Sequence, residues 1–359
     1  MYNAYIKSEW RYIMKPHKIE LSVSSVVFML LVIFIHVASE CVSGYDTSSV
    51  QFAVICSLHR LASFVVQGFI FLSGVKLFLS FRNDFSYGKF YLSRVTRVVV
   101  PYLIVFSLFY AYLTVTGGIA PSTNYYFTEM ITGGLVGHFY FVAIICQFYL
   151  LMPLWRLLYR RGSAVLSLVI SLMLMIILKA YLPEIVRLIF GYEMQYNSRL
   201  FTSYLFYFVA GIFSGKYYEQ FTDFLRRRRL QLICSTSAVG IINCLLIYVI
   251  RRGWYYPMWA ENFHVLYCIL AILCTVSLSL KLSEKKISTS PLMKLTDRAS
   301  YNVYLIHPLF IFFIDSVCSN LGVVSLTLRL AIKAIFTYGG AIGLCVLYEW
   351  LKDKINQKR

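Results

Sequence analysis

Charge is scarce in this chain. Asp, Glu, Lys and Arg make up 14% of its 359 residues, against about a quarter in a typical soluble domain. Acids are scarcer than bases, 16 against 34, so the formal net charge is +18. In a soluble chain that excess would suggest nucleic acid. Here the basic residues fall in short clusters between long apolar runs, a pattern of membrane topology and anionic-lipid contact, and no nucleic-acid partner is expected. The nine cysteines form no CxxC and have no ligand spacing with His, so neither a metal site nor a redox motif is expected. Most sit inside apolar runs as small hydrophobes; Cys41 and Cys56 flank the first loop and are spaced to allow pairing. No Ser-His-Asp set, GxSxG elbow, P-loop or metal motif is present. The first apolar run is too long for a cleavable signal and lacks a small-residue cleavage site, so it is expected to stay as a span. Low-complexity stretches and an appended soluble domain are missing, and no internal repeat supports an inverted-repeat transporter.

What is abundant is apolar sequence: 59% hydrophobic residues and a mean hydropathy of +0.68. Runs of about 18 to 22 apolar residues recur, each long enough to cross about 30 Å of hydrocarbon as a helix. They are continuous rather than alternating, which selects helices over barrel strands. The fold class is therefore an all-α membrane protein with about ten transmembrane helices, near 21–39, 54–80, 98–117, 138–156, 163–182, 199–215, 231–250, 264–281, 300–317 and 324–350. Loop charge alternates. One side holds Lys7 to Lys18, then Arg82 to Arg97, Arg156 to Arg161, Lys216 with Arg226 to Arg229, Lys281 to Arg298, and Lys352 to Arg359; the other side holds few bases. By the positive-inside rule the rich side is cytoplasmic, and both termini lie there. This divides the chain into a cytoplasmic segment 1–20, a transmembrane domain 21–350 and a tail 351–359.

Ionisable groups inside spans are functional candidates. His36 lies in the outer part of the first span and shares a helical face with Glu40. Arg60 (beside His59) and His138 fall at a similar depth, which suggests one polar pocket near the outer leaflet, with Arg60 able to pair with Glu40. A His in a dry pocket can take a proton from a hydroxyl, a carboxylate can hold its tautomer and a cation can stabilise an oxyanion. Lys76, Arg329 and Lys333 lie near span ends, where snorkelling accounts for them. Asp315 and Glu349 read as interfacial.

Five segments occur in an order that resembles a known family: FIHVAS around His36, QGFIFLSG at Gln67 to Gly74, FYLSRVTRVVVPYL from Phe90, GHFYFVAIICQFYLLMPLW from Gly137 and SYNVYLIHPLF from Ser300. The chain resembles the membrane-bound acyltransferase 3 family over about residues 20–350. Members O-acylate bacterial surface glycans, so the resemblance implies an acyl-CoA donor, most simply acetyl-CoA, and a glycan or glycolipid acceptor across the membrane. It implies His36 as general base, and Gly137-His138-Phe139 matches the family's fourth-span His motif; with Arg60 read at a similar depth, His138 and Arg60 are expected near the acceptor. It also implies Arg94 and Arg97 at the cytoplasmic edge, where guanidinium groups suit CoA phosphates; lipid headgroup contact is the alternative. Ser73 and Gly74 match a small-residue turn that lets helices or a pantetheine arm approach closely. His307 matches the family's late His-Pro and is expected in the cytoplasmic half, on the CoA side. One departure stands out. The family usually carries an Arg eleven residues before its first-span His, and an acid three before that; here those positions are Ser25 and Ser22.

The function expected is that of an O-acyltransferase of the bacterial cytoplasmic (inner) membrane acting on a surface glycan, in possible company with polysaccharide-synthesis enzymes. Two alternatives fit an all-helical chain: a non-enzymatic polysaccharide exporter, and an accessory subunit of a synthase.

Overall fold

The computed structural model describes residues 18–79, 81, 85–191, 193–194, 196–285 and 290–358. Lys7, Arg11, Lys15, Arg82, Lys286 and Arg359 of the basic clusters lie outside them. The described residues form helices joined by short loops: α1 (Ile19–Gly44), α2 (Val50–Ala62), α3 (Val65–Leu79), α4 (Tyr87–Arg94), α5 (Val100–Val115), α6 (Thr123–Thr132), α7 (Tyr140–Leu150), α8 (Met152–Arg161), α9 (Ala164–Phe190), α10 (Leu205–Lys216), α11 (Tyr218–Arg227), α12 (Arg229–Arg251), α13 (Ala260–Ser283), α14 (Pro291–Asn320) and α15 (Leu326–Lys358). Their ends follow local chemistry. Ser49 and Ser290 accept from the backbone N–H groups of Phe52 and Met293, and Pro291 opens α14 where no N–H is needed.

Among the described residues eight helical segments are long and apolar enough to cross a membrane, or nine with the α7–α8 pair, bent by 58°, taken as one span. Pro153 sits at that bend, where it cannot donate to the helix ladder. The tenth expected span, 199–215, departs from the expectation. It is built from two 3-10 turns (Asn197–Arg199 and Phe201–Tyr204) and the 12-residue α10, about 18 Å of helix. Its helical part is enclosed by protein, since Leu205, Phe208, Val209, Ile212 and Phe213 are all buried, while the 3-10 turns before it are half-buried apart from exposed Ser198 and buried Tyr204. The span expected at 54–80 is broken at Ser63 and Phe64. At the end of the chain α15 continues through Lys352 and Lys354, so no break separates residues 351–358 from the last span.

α1 is the central helix and packs on α2, α3, α13, α14 and α15. Of its apolar window 61% is buried, against 11% for α9 and for α12. Those two helices turn Leu166, Val169, Met173, Ile241 and Leu245 outward, as a lipid-facing surface requires. α3 and α10 touch backbone to backbone. A Cβ on Gly74 would lie 2.6 Å from the Phe208 carbonyl oxygen, and one on Gly211 would strike the Phe71 carbonyl. Of the two uses foreseen for Gly74, close helix approach fills the space. All nine cysteines are free, so the pairing of Cys41 with Cys56 is not made; both are buried in α1 and α2.

α1 and α14 both begin at the end of the bundle that carries the basic clusters, here the basic end. The opposite end is the far end.

Candidate functional site

Three imidazoles meet inside the bundle. The ring centroids of His36 and His307 are 5.1 Å apart, those of His138 and His307 5.3 Å, and those of His36 and His138 6.0 Å. His138 and His307 are buried, at 1% and 0% exposure; His36 is half-buried. The expected placement of His307 apart from the other two is corrected here. α14 starts at Pro291, nine residues before the expected span, so His307 is its seventeenth residue (307 − 291 + 1). His36 is the eighteenth residue of α1 (36 − 19 + 1). Both helices start at the basic end, so both rings sit about 25 Å along at 1.5 Å per residue.

Pro308 sets the protonation of His307. It has no N–H, so the Tyr304 carbonyl four residues earlier loses its helical donor. The His307 Nδ1 fills that vacancy, 2.8 Å from the Tyr304 oxygen and 3.2 Å from the Val303 oxygen. A carbonyl only accepts, so the proton is on Nδ1. Nε2 is left as a buried lone pair with no partner. His138 is fixed the same way: its Nε2 donates to the Leu305 carbonyl at 3.1 Å, and its Nδ1 is buried without a partner. Tyr304 hydroxyl donates to the His138 carbonyl. Two neutral imidazoles thus keep unshared lone pairs beside His36. Among the described residues no group of His, Cys, Asp and Glu is arranged to hold a metal ion.

The single outer pocket expected for His36, Glu40, Arg60 and His138 is divided in the structure. Glu40 does not pair with Arg60 and does not orient His36. It pairs with Lys333 and, at 3.0 Å, with Arg329; both cations also reach Asp315, each at 2.9 Å. Lys333 does not snorkel: it is 1% exposed, because two carboxylates on α1 and α14 hold it inside. Arg60 lies elsewhere. Its guanidinium donates to Asn243 and Glu261, each at 3.3 Å.

A cavity of about 250 Å³ leads from the basic end toward the imidazoles. Lys76, Arg97 and Arg298 surround its charged part. Its apolar part is walled by Phe69, Phe141 and Tyr304, and the Tyr304 ring lies 5.4 Å from His138. Arg97 sits on a π-helical turn, Val95–Val99, that precedes Pro101. Such turns commonly mark functional sites. Arg94 is set back from the cavity, its guanidinium 4.9 Å above the ring of Tyr149, which lines the wall. Ser73 also lines it; Gly74 does not, because it faces α10.

The missing Arg at Ser25 has a counterpart in space. The Lys76 ammonium donates to Ser25 Oγ at 2.7 Å and lies 3.8 Å from Asp297, whose other oxygen accepts from Ser22 Oγ at 2.7 Å. A cation and an acid therefore sit beside Ser25 and Ser22, brought from α3 and α14. Sequence reading passed over Lys76 as a snorkelling side chain and did not single out Asp297, Arg298 or Tyr304; only contacts between helices reveal them.

Residues 26–350 match the family model described as an acyltransferase domain, acyltransferase family 3. Curated relatives in Staphylococcus aureus are named "Probable poly-beta-1,6-N-acetyl-D-glucosamine export protein". That of strain MRSA252 is 20% identical over 347 residues, covering 92% of this chain and 93% of the relative, and that of strain N315 is 20% identical over 345 residues with the same coverage. No solved structure matches the chain. A family match spanning nearly all of the sequence, on an all-helical multi-pass membrane protein, places the chain in the membrane-bound acyltransferase 3 family.

Proposed function

We propose that the protein is a bacterial cytoplasmic-membrane O-acyltransferase that moves an acyl group, most simply acetyl, from acyl-CoA to a hydroxyl of a surface glycan. The observation that carries this reading is the cluster of His36, His138 and His307 behind Tyr304, whose ring lies 5.4 Å from His138 and lines a cavity that Lys76, Arg97, Asp297 and Arg298 also line. Cations at the basic end suit the phosphates of CoA, and the narrow apolar part suits a pantetheine arm and a short acyl group. The relatives' names suggest a β-1,6-linked N-acetylglucosamine polymer as the acceptor.

In the proposed step the acceptor hydroxyl attacks the thioester carbonyl, the C–S bond breaks, and the CoA sulfur leaves. His36 takes the hydroxyl proton and returns one to the departing thiolate. No carboxylate stands behind His36 as in a Ser-His-Asp triad. The lone pairs of His307 Nε2 and His138 Nδ1 take that part: a small rotation of the half-buried His36 ring lets its N–H donate to one of them and steadies the imidazolium. Arg94 and Arg97 act on the donor, with Arg97 at the cavity rim.

The test uses the purified chain in nanodiscs with acetyl-CoA and a β-1,6-N-acetylglucosamine oligomer. His36→Ala is expected to retain donor binding and lose transfer by about 10²- to 10⁴-fold, the usual contribution of a general base. The joint change Arg94→Ala with Arg97→Ala is expected to weaken donor binding. Normal transfer by the His36 variant, or no saturable acyl-CoA binding by the folded wild-type chain, would overturn the reading. The export activity named for the relatives is the second reading; it expects glycan movement that does not depend on acyl-CoA.

A further inference from the structure

A second polar cavity, of about 330 Å³, lies toward the far end. Its volume is within the range of small-molecule sites, roughly 300–1,000 Å³. It is bounded by the start of α13, the outer half of α9, the 3-10 segment and Gln67 at the head of α3. Its wall is chemically unlike the apolar, lipid-facing clefts: Gln67, Lys179, Asn197, Glu261 and Asn262 offer amides, an ammonium and a carboxylate, and Tyr204 adds a ring and a hydroxyl.

Glu261, whose side chain is 44% exposed, is paired on both oxygens. One oxygen accepts from Arg60 at 3.3 Å and the other lies 3.7 Å from the Lys179 ammonium. Arg60 is fixed in turn by the Asn243 oxygen. The Asn243 amide donates to His264 Nδ1 at 3.2 Å, so the His264 proton is on Nε2, which donates to Ser63 Oγ at 3.2 Å. Ser63 hydroxyl then donates to the Arg60 carbonyl at 2.7 Å. Donors and acceptors match around the whole circuit. Of its members Glu261 and His264 line the cavity, so the circuit fixes one carboxylate there, an acceptor for a ligand's hydroxyls.

The loop that leads into Glu261 is aromatic and exposed. Trp254, Tyr255, Tyr256 and Trp259 are 63%, 66%, 62% and 52% exposed. Trp254 rests against Tyr248 and Arg252, whereas Trp259 precedes Glu261 by two residues and packs on Phe263; a ring near a fixed carboxylate offers a sugar a surface for its C–H face and an acceptor for its hydroxyls. At the inner end the cavity is lined by Tyr204 and Tyr207.

We infer that this far-end cavity is the binding site for a polyhydroxylated, amide-bearing glycan strand, with Glu261 and Asn262 as its polar contacts and Trp259, two residues before Glu261, as its stacking ring. This rests on the acyltransferase reading in taking the strand to be the acceptor. Arg60 acts in it as a positioning residue, through Glu261.

The experiment places the full chain in nanodiscs of one fixed lipid composition. It titrates hexasaccharides of glucose, of N-acetylglucosamine and of galacturonic acid, following tryptophan fluorescence, and measures acetyl-CoA binding on the same samples. Saturable binding of the N-acetylglucosamine probe is expected, tighter than that of the glucose probe. Glu261→Gln and Asn262→Ala are each expected to raise its Kd about tenfold, and Trp259→Ala several-fold, in samples that still bind acetyl-CoA. Unchanged Kd values in all three variants, or no oligosaccharide binding by wild-type chain that does bind acetyl-CoA, overturn this site and leave the acyltransferase reading standing. A Trp259 variant that changes melting in the bilayer and leaves the Kd alone marks the loop as a membrane anchor and also overturns it. A wild-type sample that binds the oligosaccharide and no acyl-CoA supports the site while removing the donor reading.

Discussion

The protonation state of His307 depends on a neighbour that carries no titratable group. Pro308 strips the Tyr304 carbonyl of its helical donor, and the His307 Nδ1 takes it. Pro308→Ala restores an N–H at that position. The carbonyl then has its backbone partner again, the His307 ring is released, and either nitrogen can carry the proton. The expected outcome is a helix at least as stable and transfer slower on the order of tenfold, short of the 10²- to 10⁴-fold loss expected for a general base; thermal melting and acetyl transfer measured together decide it. Full transfer in that variant would detach the His307 tautomer from the reaction. Lys76 gives the second test at this scale. Losing a charged hydrogen bond costs roughly 1.5–3 kcal/mol, so Lys76→Ala is expected to weaken acetyl-CoA binding about tenfold or more. Ser25→Arg in that background puts a cation back beside the same cavity and is expected to restore much of the affinity; no rescue would show that Lys76 does not stand in for the family's Arg. The His residues were visible in the sequence because imidazoles are rare in apolar runs. Their grouping with His307 was not, because it depends on where α14 begins: the run from Pro291 to Ala299 carries Lys294, Asp297 and Arg298 and is too polar to be read as part of a span.

The helices show a similar divide between what hydropathy reports and what packing decides. The long helices α1, α9, α12 and α13 are evident as apolar runs, because each must satisfy its own backbone in hydrocarbon. The segment 197–216 is evident as an apolar run too, but its broken form is not: its short α10 is sheltered by α3 and gains its place from three glycines, Gly74, Gly211 and Gly215, which let the backbones touch. Gly74 could be picked out by its motif; its partner Gly211 lies in no motif and becomes legible only when both helices are in place. Overpacking a close contact costs about 1–3 kcal/mol. Gly211→Ala is therefore expected to lower the unfolding temperature in detergent clearly, because its Cβ meets the Phe71 carbonyl, which cannot move alone. Gly343→Ala on α15, where a Cβ meets nothing within 4 Å, is expected to be neutral or stabilising, as Ala is preferred to Gly by about 1 kcal/mol in a helix. Equal melting of the two variants would mean that the α3–α10 contact is looser than this structure has it. The same pair of helices carries Ser73 and Lys76 to the donor cavity and sets Tyr207 toward the far-end cavity, so loosening it is expected to disturb both sites.

For the whole molecule, orientation decides whether the chemistry is possible. The proposed reaction needs its cation-lined cavity to face the cytoplasm, where acyl-CoA is made, and its far-end cavity to face the acceptor. Loop charge gives that direction by the positive-inside rule, a rule about insertion that is independent of the cavity's shape. Arg97 and Arg298, which line one cavity, are among the bases that the rule counts, so that cavity lies at the end expected to face the cytoplasm, and the loop before Glu261 lies at the other. Single cysteines test this directly in a background where the exposed Cys234 is replaced by Ser. Met258→Cys lies at the far end and is 92% exposed; in intact cells, or spheroplasts where an outer barrier exists, a membrane-impermeant maleimide is expected to label it. Lys354→Cys, near the end of α15 at the basic end, is expected to react only after the membrane is opened. The reverse pattern would point the basic cavity away from the acyl-CoA pool. Lys76, Arg97 and Arg298 would then face the outside, where no acyl-CoA reaches them, and the exporter reading would become the better account of the same three imidazoles.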